Sequence, residues 1–154
     1  MSSTNSENRR LGNQVTIAND DPKFKIKKQA AVQVALAALS HLKYTRTHLS
    51  LIFTSDLKIK LLNRRFLKHD RPTDVLAFPL RPPFLGEVII SPKRASVQAS
   101  IYEASFQEEL ARYICHGILH LAGFKDKTRK DQNQMRRQEN IILKRSKKHL
   151  NRII

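Results

Sequence analysis

No part of the chain limits its possible fold more than the run from Phe106 to Gly123, FQEELARYICHGILHLAG. The pattern is helical to Leu121 and stops at Gly123, where glycine lets the backbone turn back through a left-handed conformation. His116 and His120 are four residues apart within it, so they lie on one face, one turn apart, and both can grip one metal ion. The residues after the glycine can fold against that face. Asp126, three beyond it, is the expected third ligand, giving two nitrogens and one oxygen with the remaining position of a tetrahedral zinc open. Zinc peptidases carry a general-base glutamate where this chain has Gly117, which argues against peptide hydrolysis by that route. Cys115 points about 100° around the helix from His116 and reads as buried packing rather than a fourth ligand.

The remaining sequence is consistent with one domain around this helix. At 154 residues, with 40% hydrophobic composition and few Gly and Pro, it can bury a core without disulfide or metal staples. Residues 1–12 are polar and read as a flexible N-terminus, leaving 13–154 as a single domain. Val15 to Ala18 suggests a first strand, the alanine-rich Gln29 to Leu42 a first helix, and His48 to Thr54 a second strand. Ser55-Asp56 then supplies an N-cap to a helix whose Leu57, Leu61, Leu62 and Phe66 share a face. Short strands follow at Asp74 to Pro79 and Glu87 to Ile90, and a basic helix runs from about Lys130 to the C-terminus. The expected class is α+β, a small mixed sheet of about four strands packed by about five helices, with the metal site at the end of the H-x-x-x-H helix.

The charge names a class of partner. With 29 Lys+Arg against 13 Asp+Glu, the formal net charge of +16 attracts polyanions, and nucleic acid fits better than a membrane surface. No apolar run approaches membrane-spanning length, and a lone cysteine with no apolar leader places the protein in a reducing cytoplasm. Eleven Lys or Arg lie between Lys125 and Arg152, against Asp126, Asp131 and Glu139, so this helix can track a phosphate backbone toward the metal, with Lys130, Arg136 and Arg137 as candidate contacts. A coordinated ion there can activate water or polarise a phosphoryl oxygen, and both routes stay open. Asp74 reads first as a turn residue, Glu109 as structural, and His41, His48, His69 and His149 have no ligand spacing.

Three ordered motifs make the comparison specific. His116 to Asp126, HGILHLAGFKD, resembles the H-G-x-L-H-L-x-G-[YF]-[DN]-H signature of the YbeY family of rRNA maturation factors. Asn63 to Pro79, NRRFLKHDRPTDVLAFP, resembles the same family's L-N-x-x-[YF]-R…P-T-D-V-L-S-F-P segment, and Leu85 to Ile90 its L-G-[DE]-[IV]-x-I strand. Glu109, Met135 and Glu139 also stand at family-like positions. The resemblance implies a metal-dependent, single-strand-specific endoribonuclease acting in 16S rRNA 3′-end maturation and ribosome quality control. It also implies zinc as the cofactor, with ribosomal RNA, the small ribosomal subunit and a ribosome-associated GTPase as partners. On this reading His116, His120 and Asp126 are both metal ligands and the catalytic set.

The chain departs from the pattern in two places. Asp126 replaces the usual third histidine, beside Lys125 in place of Asp or Asn, and an anionic oxygen ligand shifts preference toward Mn2+ or Fe2+. Leu67 stands where the family has an arginine, so Arg64, Arg65, Lys68 or Arg71 is expected to supply that charge. A rival reading is a non-catalytic RNA-binding assembly factor with a vestigial or structural metal, although a structural zinc normally takes four protein ligands. A non-haem iron oxygenase triad is disfavoured because such sites usually sit on barrel strands.

Overall fold

The computed structural model describes residues 12–67 and 74–147. Apart from Gly12, the frayed N-terminus expected over residues 1–12 lies outside the described residues, as do Lys68, His69, Arg71, Thr73 and His149. The elements are β1 (Gln14–Asn19), α1 (Lys28–His41), β2 (His48–Phe53), α2 (Asp56–Leu67), β3 (Val75–Pro79), β4 (Phe84–Ile90), α3 (Pro92–Ile101), α4 (Phe106–Leu121) and α5 (Arg129–Arg145). The described strands form one mixed sheet in the order β1-β2-β4-β3, with β1, β2 and β4 parallel and β3 antiparallel to β4.

Strand alternation separates the two faces of this sheet. Leu49, Leu51 and Phe53 of β2, with Val88 and Ile90 of β4, point into the main core beneath α1, α4 and α5. Ile89 and Leu76 point the other way and meet Ile59 of α2. Ala31, Ala35 and Ala38 of α1 are fully buried. Their small side chains let this helix approach its neighbours closely. The Ser55 side chain accepts from the Lys58 backbone N–H at 3.2 Å and caps α2 as its sequence implied.

One difference from the sequence reading stands out. No helix was singled out over Pro92–Ile101, yet α3 begins there, with the Ser91 side chain accepting from the Arg94 N–H at 3.1 Å and Pro92 at the start. That Ser-Pro start was the available signal. Residues 148–154, over which the basic helix is expected to continue, lie outside the described residues, and α5 is described over Arg129–Arg145. Its C-cap Ser146 bonds through its N–H to Ile142 and Leu143 and through its hydroxyl to the Ile142 carbonyl at 2.9 Å.

Gly117 sets how α4 meets the sheet. A Cβ there would lie 2.3 Å from Val88 Cγ1 and 3.0 Å from Val75 Cγ1, so the helix rests on β4 and β3 with no side chain between. The position that disfavours peptidase chemistry is therefore also one that a glutamate could not occupy. Gly117→Ala is expected to lower stability by about 1–3 kcal/mol despite alanine's better helix propensity. Adding Val88→Ala should recover part of the loss in denaturant melts, and an undiminished loss in the double variant would refute the contact.

Candidate metal centre

Helix α4 presents Glu109, Arg112, Tyr113, His116 and His120 to a cleft of about 660 Å³. On one side Tyr113 turns toward α3, its hydroxyl donating to the Arg94 carbonyl at 3.4 Å. On the other, Arg112 reaches α5, donating to Glu139 Oε1 at 3.0 Å and to Asn140 Oδ1 at 3.1 Å. The cleft lies between these walls, with the histidine pair on its floor.

The turn after α4 completes the site. Gly123 takes a left-handed φ of 99°, its N–H bonds to the His120 carbonyl, and the Phe124 N–H reaches the Leu119 carbonyl at 3.0 Å. That reversal delivers the Phe124 carbonyl to His120, whose Nδ1–H donates to it at 3.0 Å. It also brings Asp126 Oδ2 to 3.2 Å from His120 Nε2 and 3.4 Å from His116 Nε2. Gln132 of α5 donates to the Asp126 carbonyl at 3.0 Å and holds the loop from its far side. A capping box between Thr128 and Asp131 starts α5 directly afterwards.

The donor set fits a cation. His116 Nδ1 faces Glu139 Oε2 at 2.8 Å and His120 Nδ1 faces a carbonyl. Each Nδ1 meets only an acceptor, so each carries its ring's proton and leaves an Nε2 lone pair. Those two Nε2 atoms are 2.9 Å apart, and with Asp126 they form three acceptor atoms around one point. Neutral lone pairs and a carboxylate gathered this closely repel one another unless a positive charge lies among them. His116, His120 and Asp126 are the only such group of three or more potential ligands among the described residues. A divalent metal is the species they suit.

Charge around this set is graded. Burial would raise the Glu139 carboxyl, but the His116 hydrogen bond and the hydrogen bond and charge of Arg112 hold it below its ordinary range. It therefore stays anionic behind His116. Burial pushes Asp74 up against the pull of Arg94, and pushes Glu109 up against Arg112. Burial likewise raises the Cys115 thiol, which lies in the core away from the cleft.

The basic residues singled out in the sequence are divided by the fold. Arg136 lines the metal cleft, with its guanidinium 3.8 Å from Glu139 and its side chain 63% exposed. Lys130 and Arg137 line a separate shallow groove on α5. Arg64 and Arg65 are exposed near the end of α2, and Lys68 and Arg71 fall outside the described residues. Sequence reasoning did not assign Arg112, the Phe124 carbonyl, or Glu139 as partner of His116. The available signal was Glu139, four residues after the apolar Met135 and the one acid beyond the first turn of an otherwise basic helix.

Comparison with known proteins bears directly on this site. The family model described as Endoribonuclease YbeY matches residues 14–147. The Endoribonuclease YbeY of Aquifex aeolicus is 38% identical over 134 residues, covering 83% of this chain and 89% of that relative. The protein of the same name from Geobacter metallireducens is 38% identical over 133 residues, covering 81% of this chain and 88% of that relative. A solution structure from Thermotoga maritima superimposes with a TM-score of 0.60 at 27% identity, over 87% of this chain and 92% of that one.

If Glu139 orients His116, Glu139→Ala should weaken metal binding by about 10–100-fold. Competition against a chromogenic chelator measures this, and unchanged affinity would remove Glu139 from the site.

Proposed function

The chain belongs to the endoribonuclease YbeY family, and from that premise we propose that it is a metal-dependent enzyme cutting single-stranded RNA in the cleft of His116, His120 and Asp126. Cleavage of RNA phosphodiester bonds is the family's reaction class. The observation that carries the metal assignment is the convergence of two Nδ1-tethered imidazoles and a carboxylate on one point at an open cleft. When bound there, a divalent ion supplies Lewis-acid charge to the phosphodiester. The cleft wall adds a cation in Arg136, while Arg112 is paired with the Glu139 carboxylate and hydrogen-bonded to Asn140. Asp74 and Glu109, held above their ordinary range, are the cleft carboxylates able to take up a proton.

Zinc is the proposed ion, with Mn2+ or Fe2+ made more competitive by Asp126. Three ligands facing a cleft favour catalysis over a purely structural role, since structural zinc is normally closed by four. The proposed substrate is ribosomal RNA, in 16S 3′-end maturation on the small ribosomal subunit, with a ribosome-associated GTPase as a further partner. Two features support a polyanionic partner: the charge of +16, and the exposed bases of α5 and α2. No helix among the described residues is long and apolar enough to cross a membrane, and a cytoplasmic location suits both this and the lone buried thiol. Leu67 stands where the family resemblance places an arginine. Arg136 is proposed to supply that charge to the phosphate, and Arg64, Arg65, Lys130 and Arg137 to guide RNA from farther out.

One cleavage series tests these assignments. His116→Ala and Asp126→Ala should lose both bound metal and at least about 100-fold in cleavage rate. Asp126→His should retain metal. Arg136→Glu should keep its metal, bind RNA more weakly, and lower the salt dependence of log K by about one. Cleavage that persists in metal-free His116→Ala refutes the centre, and an unchanged salt slope refutes the Arg136 contact.

A further inference from the structure

Helix α3 ends at the cleft on an aromatic residue that the site described so far does not use. Tyr102, the C-cap of α3, lines the same cleft as His116, His120 and Asp126, yet is 70% exposed. Burying a tyrosine ring is favourable, so one left mostly in water beside an active-site cleft has an unused apolar face. Its backbone is fixed. The Tyr102 N–H bonds to the Gln98 carbonyl at 3.0 Å, Glu103 turns left-handed with φ 55°, and the Ala104 N–H returns to the Ala99 carbonyl at 2.9 Å. A residue other than glycine in that conformation is uncommon, and here it ends α3 sharply at the ring. Tyr113, from the same face of α4 as the histidines, contacts α3 through the Arg94 carbonyl and so ties the helix carrying this platform to the cleft floor.

We infer that Tyr102 is a positioning residue that stacks on one base of the RNA flanking the scissile phosphate. The inference rests on the reading of this cleft as an RNA-cleaving site. With the phosphate over the ligand cluster and the backbone against Arg136 on the α5 wall, a neighbouring base can turn toward the α3 wall and lie on the ring. A base inside a duplex has both faces covered by its stacked neighbours, so only an unpaired, splayed base can use this platform. Stacking on a π-face is tolerant of base identity, so the contact selects for strandedness rather than sequence.

The test compares the metal-loaded full chain with Tyr102→Ala, Tyr102→Phe and Tyr102→Trp on a single-stranded oligoribonucleotide carrying 2-aminopurine beside the cut. Tyr102→Ala should raise KM about tenfold with kcat changed by no more than about twofold, and Phe and Trp should keep KM near the wild-type value. Wild-type binding should quench the probe, and Tyr102→Ala should not. If the wild type cleaves and Tyr102→Ala has the same KM, or loses only kcat, the platform is discarded while the RNA reading stands. Equal losses in the Phe and Ala variants assign the effect to the hydroxyl and also discard stacking. A wild type that neither binds nor cleaves RNA overturns the cleft's assignment and this inference together.

Discussion

The site depends on α4 lying directly on the sheet at Gly117. With Val88 and Val75 against that glycine, the rotation of the helix is fixed, and Leu110, Ile114 and Ile118 are committed to the core. Burying each of these side chains contributes about 1.5–3 kcal/mol, so turning the helix to expose them is strongly opposed. His116 is the residue just before Gly117, about 100° around the helix, and His120 lies one turn after His116. The imidazoles therefore reach the cleft because of what the opposite side of the helix buries.

A second constraint joins α5 to this frame through charge. Arg112, Glu139 and His116 form a chain from one helix to the next, with Glu139 almost fully buried in its middle. A buried carboxylate is costly unless both of its oxygens are satisfied, and here Arg112 takes Oε1 and His116 takes Oε2. The same interaction orients the His116 ring and joins α5 to α4. Met135, Ile142 and Leu143 supply the apolar part of that contact. The orientation of His116 and the packing of the helices are thus coupled, since a shift of α5 would move the carboxylate that holds the ring.

How legible these features were in the sequence depended on their range. The histidine pair, the left-handed glycine and Asp126 lie within eleven consecutive residues, so helical spacing and turn chemistry were enough to bring them together. The strands and most helices carried their own periodicity, whereas α3, short and half polar, was marked only by its Ser-Pro start. Glu139 and Arg112 are 27 residues apart and meet only through the packing of α4 on α5, which no local pattern encodes. The basic stretch after Asp126 gave a correct sense of charge but not of direction. Once Met135 and Glu139 face inward, Arg136 turns toward the cleft, while Arg137, about 100° farther around, lines a different groove.

Asp126 is where this chain departs most clearly from the pattern it otherwise follows, and the fold accommodates the change. The carboxylate approaches both Nε2 atoms while its own backbone carbonyl is held by Gln132. The central claim is that these three side chains bind one divalent ion. Anomalous diffraction at the metal's absorption edge, on crystals of protein purified without chelators, tests it most directly. The expected result is a single peak about 2.0–2.2 Å from His116 Nε2, His120 Nε2 and an Asp126 carboxylate oxygen. A peak coordinated elsewhere, or one that leaves Asp126 uncoordinated, would contradict the account.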